Sequence, residues 1–267
     1  TQINILVGTI IASFQAGAVS YLYYADRVYQ INLAVAGIAV GTVMLPELSK
    51  HVKNNNSDLI TNLQNRALEL CLFLSIPAGT ALVIASEEIV TSLFGYGSFD
   101  YKSVNNTAIA LTFFAFGVPA FSILKIFSNF FFARNNTKLP FYLSVISVIL
   151  NILISVLFFG KLGFVIIPIA TSISSWINVA LHFYFIKKQN LHDFDRTFIY
   201  KFPRIIFSTI VMGIILYFTL GFFSDKFNYN ESWKIVYLFI IVSVNLLIYF
   251  FVSNFSGAFK LKDIKLR

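Results

Sequence analysis

Eight long apolar runs, parted by short polar stretches, constrain this chain more than any single motif does. They cover about residues 1–24, 30–48, 65–86, 107–132, 141–160, 163–187, 203–223 and 234–254. Each approaches the roughly 20 residues an α-helix needs to cross about 30 Å of hydrocarbon. In lipid the backbone must satisfy its own hydrogen bonds, so continuous runs of this length predict helices. A transmembrane β-barrel would instead show alternating segments of about ten residues. Composition agrees. Of 267 residues, 57% are hydrophobic and only 12% charged, whereas soluble domains carry about 25% charged residues. The 31 Phe and 13 Tyr could not all enter one soluble core without leaving large greasy patches. The sequence predicts an all-α integral membrane protein of about eight transmembrane helices and excludes a soluble enzyme.

Basic residues lie in short clusters between the runs, a pattern of membrane orientation rather than nucleic-acid binding. Lys50, Lys53, Arg66, Arg134, Lys138, Lys187, Lys188, Arg196, Lys201, Arg204, Lys260, Lys262, Lys265 and Arg267 fall on one side of an eight-span topology. The other side holds Lys102, Lys161, Lys226, Lys234 and, at the first turn, Arg27. The bias predicts a multi-pass protein with a cytoplasmic C-terminus. Two parts are expected: residues 1–190 with six spans, and 191–267 with the last two spans and a basic tail. The segment 86–107 is expected to hold a short interfacial helix. Thr1 is not an initiator Met and no charged leader precedes the first run, so the later part of a longer protein is expected.

The single cysteine, Cys71, sits in an apolar run and excludes an internal disulfide, a zinc cluster and a CxxC motif. His51, His182 and His192 are scattered without metal-ligand spacing, and no Walker, dinucleotide-binding or GxSxG motif is present. No enzyme activity, cofactor or metal is expected.

Ionisable groups at membrane depth are expensive and each needs a reason. In YLYYADRVYQ, residues 21–30, Asp26 and Arg27 are wrapped by Tyr21, Tyr23, Tyr24 and Tyr29. Two readings stand: an interfacial turn with an aromatic belt, or a cationic site facing a water-filled cavity, where a guanidinium grips a phosphate oxygen pair as lysine cannot. Gly37 and Gly41 form a GxxxG packing signal, and Pro46 is expected to end or kink that helix. Lys125 lies mid-span, either snorkelling or pairing with a carboxylate such as Glu69, or lining a cavity. Pro77, Pro119 and Pro168 fall inside spans and are candidate kinks.

At SYLYYADRVYQ and GIAVGTVMLPELSK the chain resembles the MurJ/MviN family of lipid II flippases, within the multidrug/oligosaccharidyl-lipid/polysaccharide exporter (MOP) superfamily. LFGYGSFD near 93–100 and AFGVPAFSILKIFSNFFFARNNTKLP at 115–140 match in the same order. The likeness is densest over 1–140 and fades after about 190. It implies the second part of a fourteen-span, MOP/MATE-like carrier, these being the seventh to fourteenth spans. The implied activity is flipping of lipid II, the undecaprenyl-pyrophosphate-linked disaccharide-peptide, from the cytoplasmic to the periplasmic leaflet of the bacterial inner membrane. By that resemblance Arg27 faces the headgroup cavity, Asp26 beside it is a weaker carry-over, and a groove along the last two spans holds the lipid tail. Lys125 is a further, weaker substrate-contact candidate from its mid-span position alone. Partners would be lipid II, membrane lipids and the family's first six spans, with no nucleic acid.

Departures are visible. Many members carry a proline where this chain has Asn32. Some members resemble sodium carriers with carboxylates at positions that here are Gly8 and Ser155, while Asn151 and Thr171 are retained. Sodium or proton coupling, or drive by the membrane potential, all remain open from the sequence. The competing functions are export of another undecaprenyl-linked oligosaccharide, a MATE-like drug antiporter, and a non-transporting scaffold or remnant half-carrier. A drug antiporter calls for buried cavity carboxylates, and few acids lie mid-span.

Overall fold

The computed structural model describes residues 2–259, and among them every regular element is helical. The basic tail residues Lys260, Lys262, Lys265 and Arg267 lie outside the described residues. Helix α1 (Gln2–Ala12) stops where the chain turns through Ser13–Gly17. Gly17 makes that turn possible: its φ is +79°, and a Cβ there would lie 2.6 Å from the Tyr21 hydroxyl.

The main correction follows. Residues 21–30 do not form a turn between two spans. They lie inside α2 (Ala18–Leu33), which runs through a π segment (Ala34–Ala39) into α3 (Val40–Lys53), one 36-residue helical stretch. The buried residues of α2 explain this: Tyr21, Ala25 and Val28 recur at helical spacing and face the core, while Tyr23 and Arg27 face out. At 1.5 Å per residue the stretch is about 54 Å long, well beyond the hydrocarbon. Pro46 does not end α3, which continues to Lys53. In a membrane, neighbouring helices re-satisfy the backbone that a proline frees.

Asn56 caps α4 (Ser57–Ile84), its side chain accepting from Leu59 N at 3.3 Å. Pro77 lies within α4 without interrupting it. The expected short helix is α5 (Ser86–Phe94). Next comes a broken span. Helices α6 (Tyr101–Ala115) and α7 (Val118–Phe132) meet at a 40° bend, and Pro119 opens α7 rather than kinking its interior. The run at 107–132 is therefore two helices.

Helices α8 (Lys138–Leu162) and α9 (Ile166–Lys188) fold back on each other through a 3-10 turn at Gly163–Val165. Their antiparallel register shows in Ser147 Oγ donating to Ser174 O (3.0 Å) and Asn151 Nδ2 donating to Thr171 Oγ1 (3.0 Å). Pro168 lies in the first turn of α9, where proline costs no helical bond. Two long helices, α10 (Arg196–Phe222) and α11 (Lys234–Ser256), complete the bundle. The eight apolar runs are thus all helical in the main, but the boundaries differ: 1–24 is broken by the Ser13–Gly17 turn, its second part joins 30–48 in one stretch, and 107–132 is bent into two helices. Among the described residues five stretches qualify as spans by length and apolarity, or six with the bent pair, the 138–188 stretch counting once although it is a hairpin.

The turns collect at two ends. At the Gly17 end, Gln15 Oε1 accepts from Phe164 N (2.8 Å) and the Tyr229 hydroxyl donates to Gly97 O (3.1 Å). At the opposite, basic end, Asn65 Nδ2 donates to Asp193 O (2.9 Å), Arg134 Nη2 to Leu191 O (3.2 Å), and Lys201 Nζ to Glu69 Oε2 (2.8 Å). Outward faces of α8, α10 and α11 carry rows of exposed Phe, Leu and Ile, as lipid-facing helices do.

Candidate substrate site on the second helix

The sequence placed Asp26 and Arg27 in one cluster; in the structure their side chains take different hydrogen-bond partners, while the Arg27 charge still acts on the Asp26 carboxyl. Asp26 accepts from Gln30 Nε2 one turn on, and the Tyr29 hydroxyl is also its hydrogen-bond partner. Tyr29 in turn packs on Phe114 (4.8 Å) and Phe121 (5.4 Å). Asp26 thus belongs to the packed side of α2. Arg27 turns the other way. It is exposed, its Nη2 donates to the Tyr23 hydroxyl (3.2 Å), and its guanidinium lies 4.9 Å from the Tyr23 ring centre. It joins no ion pair among the described residues. A guanidinium held against one aromatic ring, with most of its donors unused, is open to an anionic ligand.

Lys125 does not join Arg27. Its stem lies against the Gly37–Gly41 face, its Cγ 3.4 Å from where a Gly37 Cβ would stand. Gly37 is ten residues beyond Arg27 on the same helical stretch, an axial offset of about 15 Å. Lys125 does not pair with Glu69 either: Glu69 is bonded to Lys201. The GxxxG face is used as expected. A Cβ at Gly37 would stand 3.0 Å from the Ser122 backbone, and Asn129 Nδ2 donates to Gly41 O at 2.7 Å. Asn129, buried and central to this contact, was not singled out in the sequence, although a lone amide in FFF context was its signal.

The sodium-related positions do come together. Asn151 and Thr171 bond across the α8–α9 hairpin, and Gly8 faces Ile167, one turn from Thr171. No carboxylate stands among the four positions Gly8, Asn151, Ser155 and Thr171. Asn151 presents its NH2 to Thr171, the Thr171 hydroxyl donates to Ile167 O (2.8 Å), and Ser155 adds only a buried neutral hydroxyl. No group of three or more His, Cys, Asp or Glu occurs among the described residues.

An apolar groove of about 330 Å³ runs between α4 and α10, past Thr80, Ile84, Gly213 and Tyr217. It adjoins a second of about 510 Å³ that ends near Glu88 and Ser224. Burial raises the Glu88 carboxyl above its ordinary range. This groove lies on the α4 side of α10, not between α10 and α11.

At the basic end, His192 is enclosed by Phe130 (5.2 Å) and Phe194 (4.9 Å), and its Nδ1 donates to Gln64 Oε1 (3.1 Å). Burial, with the Lys187 and Arg134 charges nearby, pushes its pKa down to about 4. Asp193 beside it is held low by its bond to Lys187.

Solved structures place this arrangement. The fold is similar to that of a MOP superfamily transporter from Pyrococcus furiosus (TM-score 0.60, 15% identity, 96% of this chain and 60% of that one). It is also similar to a MATE protein in its straight conformation (TM-score 0.56, 16% identity, 96% and 61%). These likenesses show a fold shared with such transporters, and the long apolar helices make the chain a multi-pass membrane protein. A structure described as lipid II flippase MurJ in an inward closed conformation matches more closely, with TM-score 0.79 and 29% identity over 95% of this chain and 50% of that one. The sequence model of the family described as lipid II flippase MurJ matches residues 1–238, and the chain belongs to that family. A relative from Rhizobium meliloti, named as a probable lipid II flippase MurJ, is 40% identical over 81% of this chain and 41% of its own length. One of the same name from Vibrio cholerae is 28% identical over 99% of this chain and 50% of its own length. The chain thus spans two-fifths to one half of these relatives.

Proposed function

We propose that this chain forms the second part of a carrier that moves lipid II, an undecaprenyl-pyrophosphate-linked disaccharide-peptide, from the cytoplasmic to the periplasmic leaflet of a bacterial inner membrane. The observation that carries this reading, beside membership of the family, is the exposed Arg27 guanidinium on a long membrane helix, which joins no salt bridge among the described residues. A charge there is costly unless water or an anion meets it. A pyrophosphate supplies that anion through bidentate, charge-assisted hydrogen bonds. In this reading the basic end, and with it the C-terminus, faces the cytoplasm, and the Gly17 end faces the periplasm.

Such a headgroup is too polar to cross about 30 Å of hydrocarbon unaided, so the two halves of the carrier rock about a hydrated cavity in alternating access. Arg27 holds the pyrophosphate, Tyr23 orients the guanidinium, and the 40° bend at Phe116–Gly117 gives the α6–α7 span a break beside Tyr29. The α4–α10 groove offers an apolar track for part of the isoprenoid tail. The membrane potential acts on any net charge moved, at about 2.3 kcal/mol per charge per 100 mV.

The test is complementation. The full-length gene, wild type and Arg27→Ala at equal level, is expressed in bacteria depleted of their own flippase, and precursor exposed on the periplasmic face is measured. Rescue by wild type and not by the variant is expected. Rescue by both would reduce Arg27 to an interfacial anchor.

A further inference from the structure

Lys234 opens α11 with its side chain fully enclosed, and among the described residues it joins no ion pair. Its Nζ donates to Gly95 O and to Tyr229 O, both at 2.7 Å. The ammonium also lies 4.0 Å from the ring centre of Tyr96 and 5.1 Å from that of Tyr229. Burying a charge without a counter-ion is costly. Here two charge-assisted hydrogen bonds and two π faces stand in for the missing anion. Such a cage needs all its walls in place, so the lysine dictates where the 95–99 loop and the 228–233 turn sit. The Tyr229 hydroxyl reinforces the join, meeting Gly97 O and Phe99 O at 3.1 Å each, and Ser92 Oγ donates to Lys234 O at 3.4 Å.

The fastening reaches the candidate site through two rings. Phe94 and Phe99, at either edge of the caged loop, hold the Tyr24 ring of α2 at 4.8 and 5.1 Å. Tyr24 stands three residues before Arg27, just under one helical turn. A chain of direct contacts therefore runs from the first residue of α11, through the 95–99 loop, to the turn of α2 that carries the guanidinium.

We infer that Lys234 is a positioning residue for Arg27: its ammonium cage fixes the 95–99 loop, whose two phenylalanines clamp Tyr24 and so set where the guanidinium stands. The last helix and the Arg27 helix then move as one at this end of the molecule. The consequence for transport rests on the flippase reading; the fastening itself does not.

The experiment uses the full-length protein in nanodiscs, wild type and Lys234→Met, followed by hydrogen–deuterium exchange. Faster exchange is expected in residues 93–100 and 228–236 and also in 18–30, with 138–188 unchanged. Loosening confined to 93–100 and 228–236, with 18–30 as protected as in wild type, would overturn the inference. If Lys234→Met does not accumulate, Tyr96→Leu removes the ring 4.0 Å from the ammonium, and the same two patterns decide. Binding of an undecaprenyl pyrophosphate probe gives the second readout. Lys234→Met is expected to weaken it 5- to 10-fold alone and not at all in an Arg27→Ala background, whereas equal losses in both backgrounds would make the cage a general stabiliser and contradict a positioning role. Should Arg27→Ala bind the probe as wild type does, the substrate reading fails and the exchange pattern still judges the fastening.

Discussion

Lowering the pH should loosen the basic end through one residue, His192. Its ring is 3% exposed, walled by Phe130 and Phe194, bonded through Nδ1 to Gln64, and faced by Lys187 and Arg134, with Asp193 the one acid beside it. The ordinary imidazole value of 6.5 falls to about 4 in this setting. The folded state therefore refuses a proton that the unfolded state takes up. Stability from this group is fully present above pH 6.5 and is lost as pH falls from there towards 4. The whole shift is worth about 3 kcal/mol, of which about 2 are lost between pH 7.5 and pH 5. The assay is thermal unfolding of the full-length protein in detergent at those two pH values, wild type against His192→Phe. Other titrating groups contribute to both proteins and cancel in the difference. The wild type should lose several degrees more than the variant on acidification, since about 1 kcal/mol moves a midpoint by a few degrees in a protein of this size. Identical pH responses would refute the reasoning, because His192 would then be protonating freely in the folded state.

Three further outcomes follow from packing and pairing. Lys201→Met should destabilise by about 1–3 kcal/mol, because it removes one charge-assisted hydrogen bond from Glu69, which is only 5% exposed. The double variant Glu69→Gln/Lys201→Met should recover part of that loss, and strict additivity in thermal unfolding would contradict the pairing. Gly37→Val should push α7 away from the π segment, since even a Cβ would stand 3.0 Å from the Ser122 backbone; loss of folded yield is expected, and wild-type yield would contradict the close approach. Asn129→Leu should cost about 1–3 kcal/mol by leaving Gly41 O without its buried donor, read as a lower unfolding midpoint.

Hydropathy made most of the fold legible, and the places where it misled have physical causes. The eight apolar runs became helices because a membrane leaves such runs no other way to satisfy their backbone. The segment 21–30 was misread because its tyrosines, Asp26 and Arg27 depress hydropathy, while the stronger signal was the spacing of Tyr21, Ala25 and Val28 on one helical face. The real turn is at Gly17, where the backbone takes a positive φ. Proline was overweighted: Pro46 and Pro77 lie inside continuous helices. Arg27 was legible as a lone guanidinium among tyrosines. Its separation from Asp26 was not, because adjacent residues on a helix point about 100° apart and only the helical state reveals it. The Lys234 cage and the Glu69–Lys201 pair join residues more than 130 apart in the chain, and nothing local in the sequence marks them.

The most direct measurement is transfer of lipid II across the membrane of proteoliposomes holding the full-length protein. Wild type, Arg27→Lys and Arg27→Ala would be compared at matched reconstitution, with and without a potential. Wild type should move the lipid. Arg27→Lys, which keeps the charge but loses the bidentate fork, should be slowed, and Arg27→Ala should be close to protein-free vesicles. Transfer by Arg27→Ala at the wild-type rate would contradict the claim that this guanidinium receives the pyrophosphate.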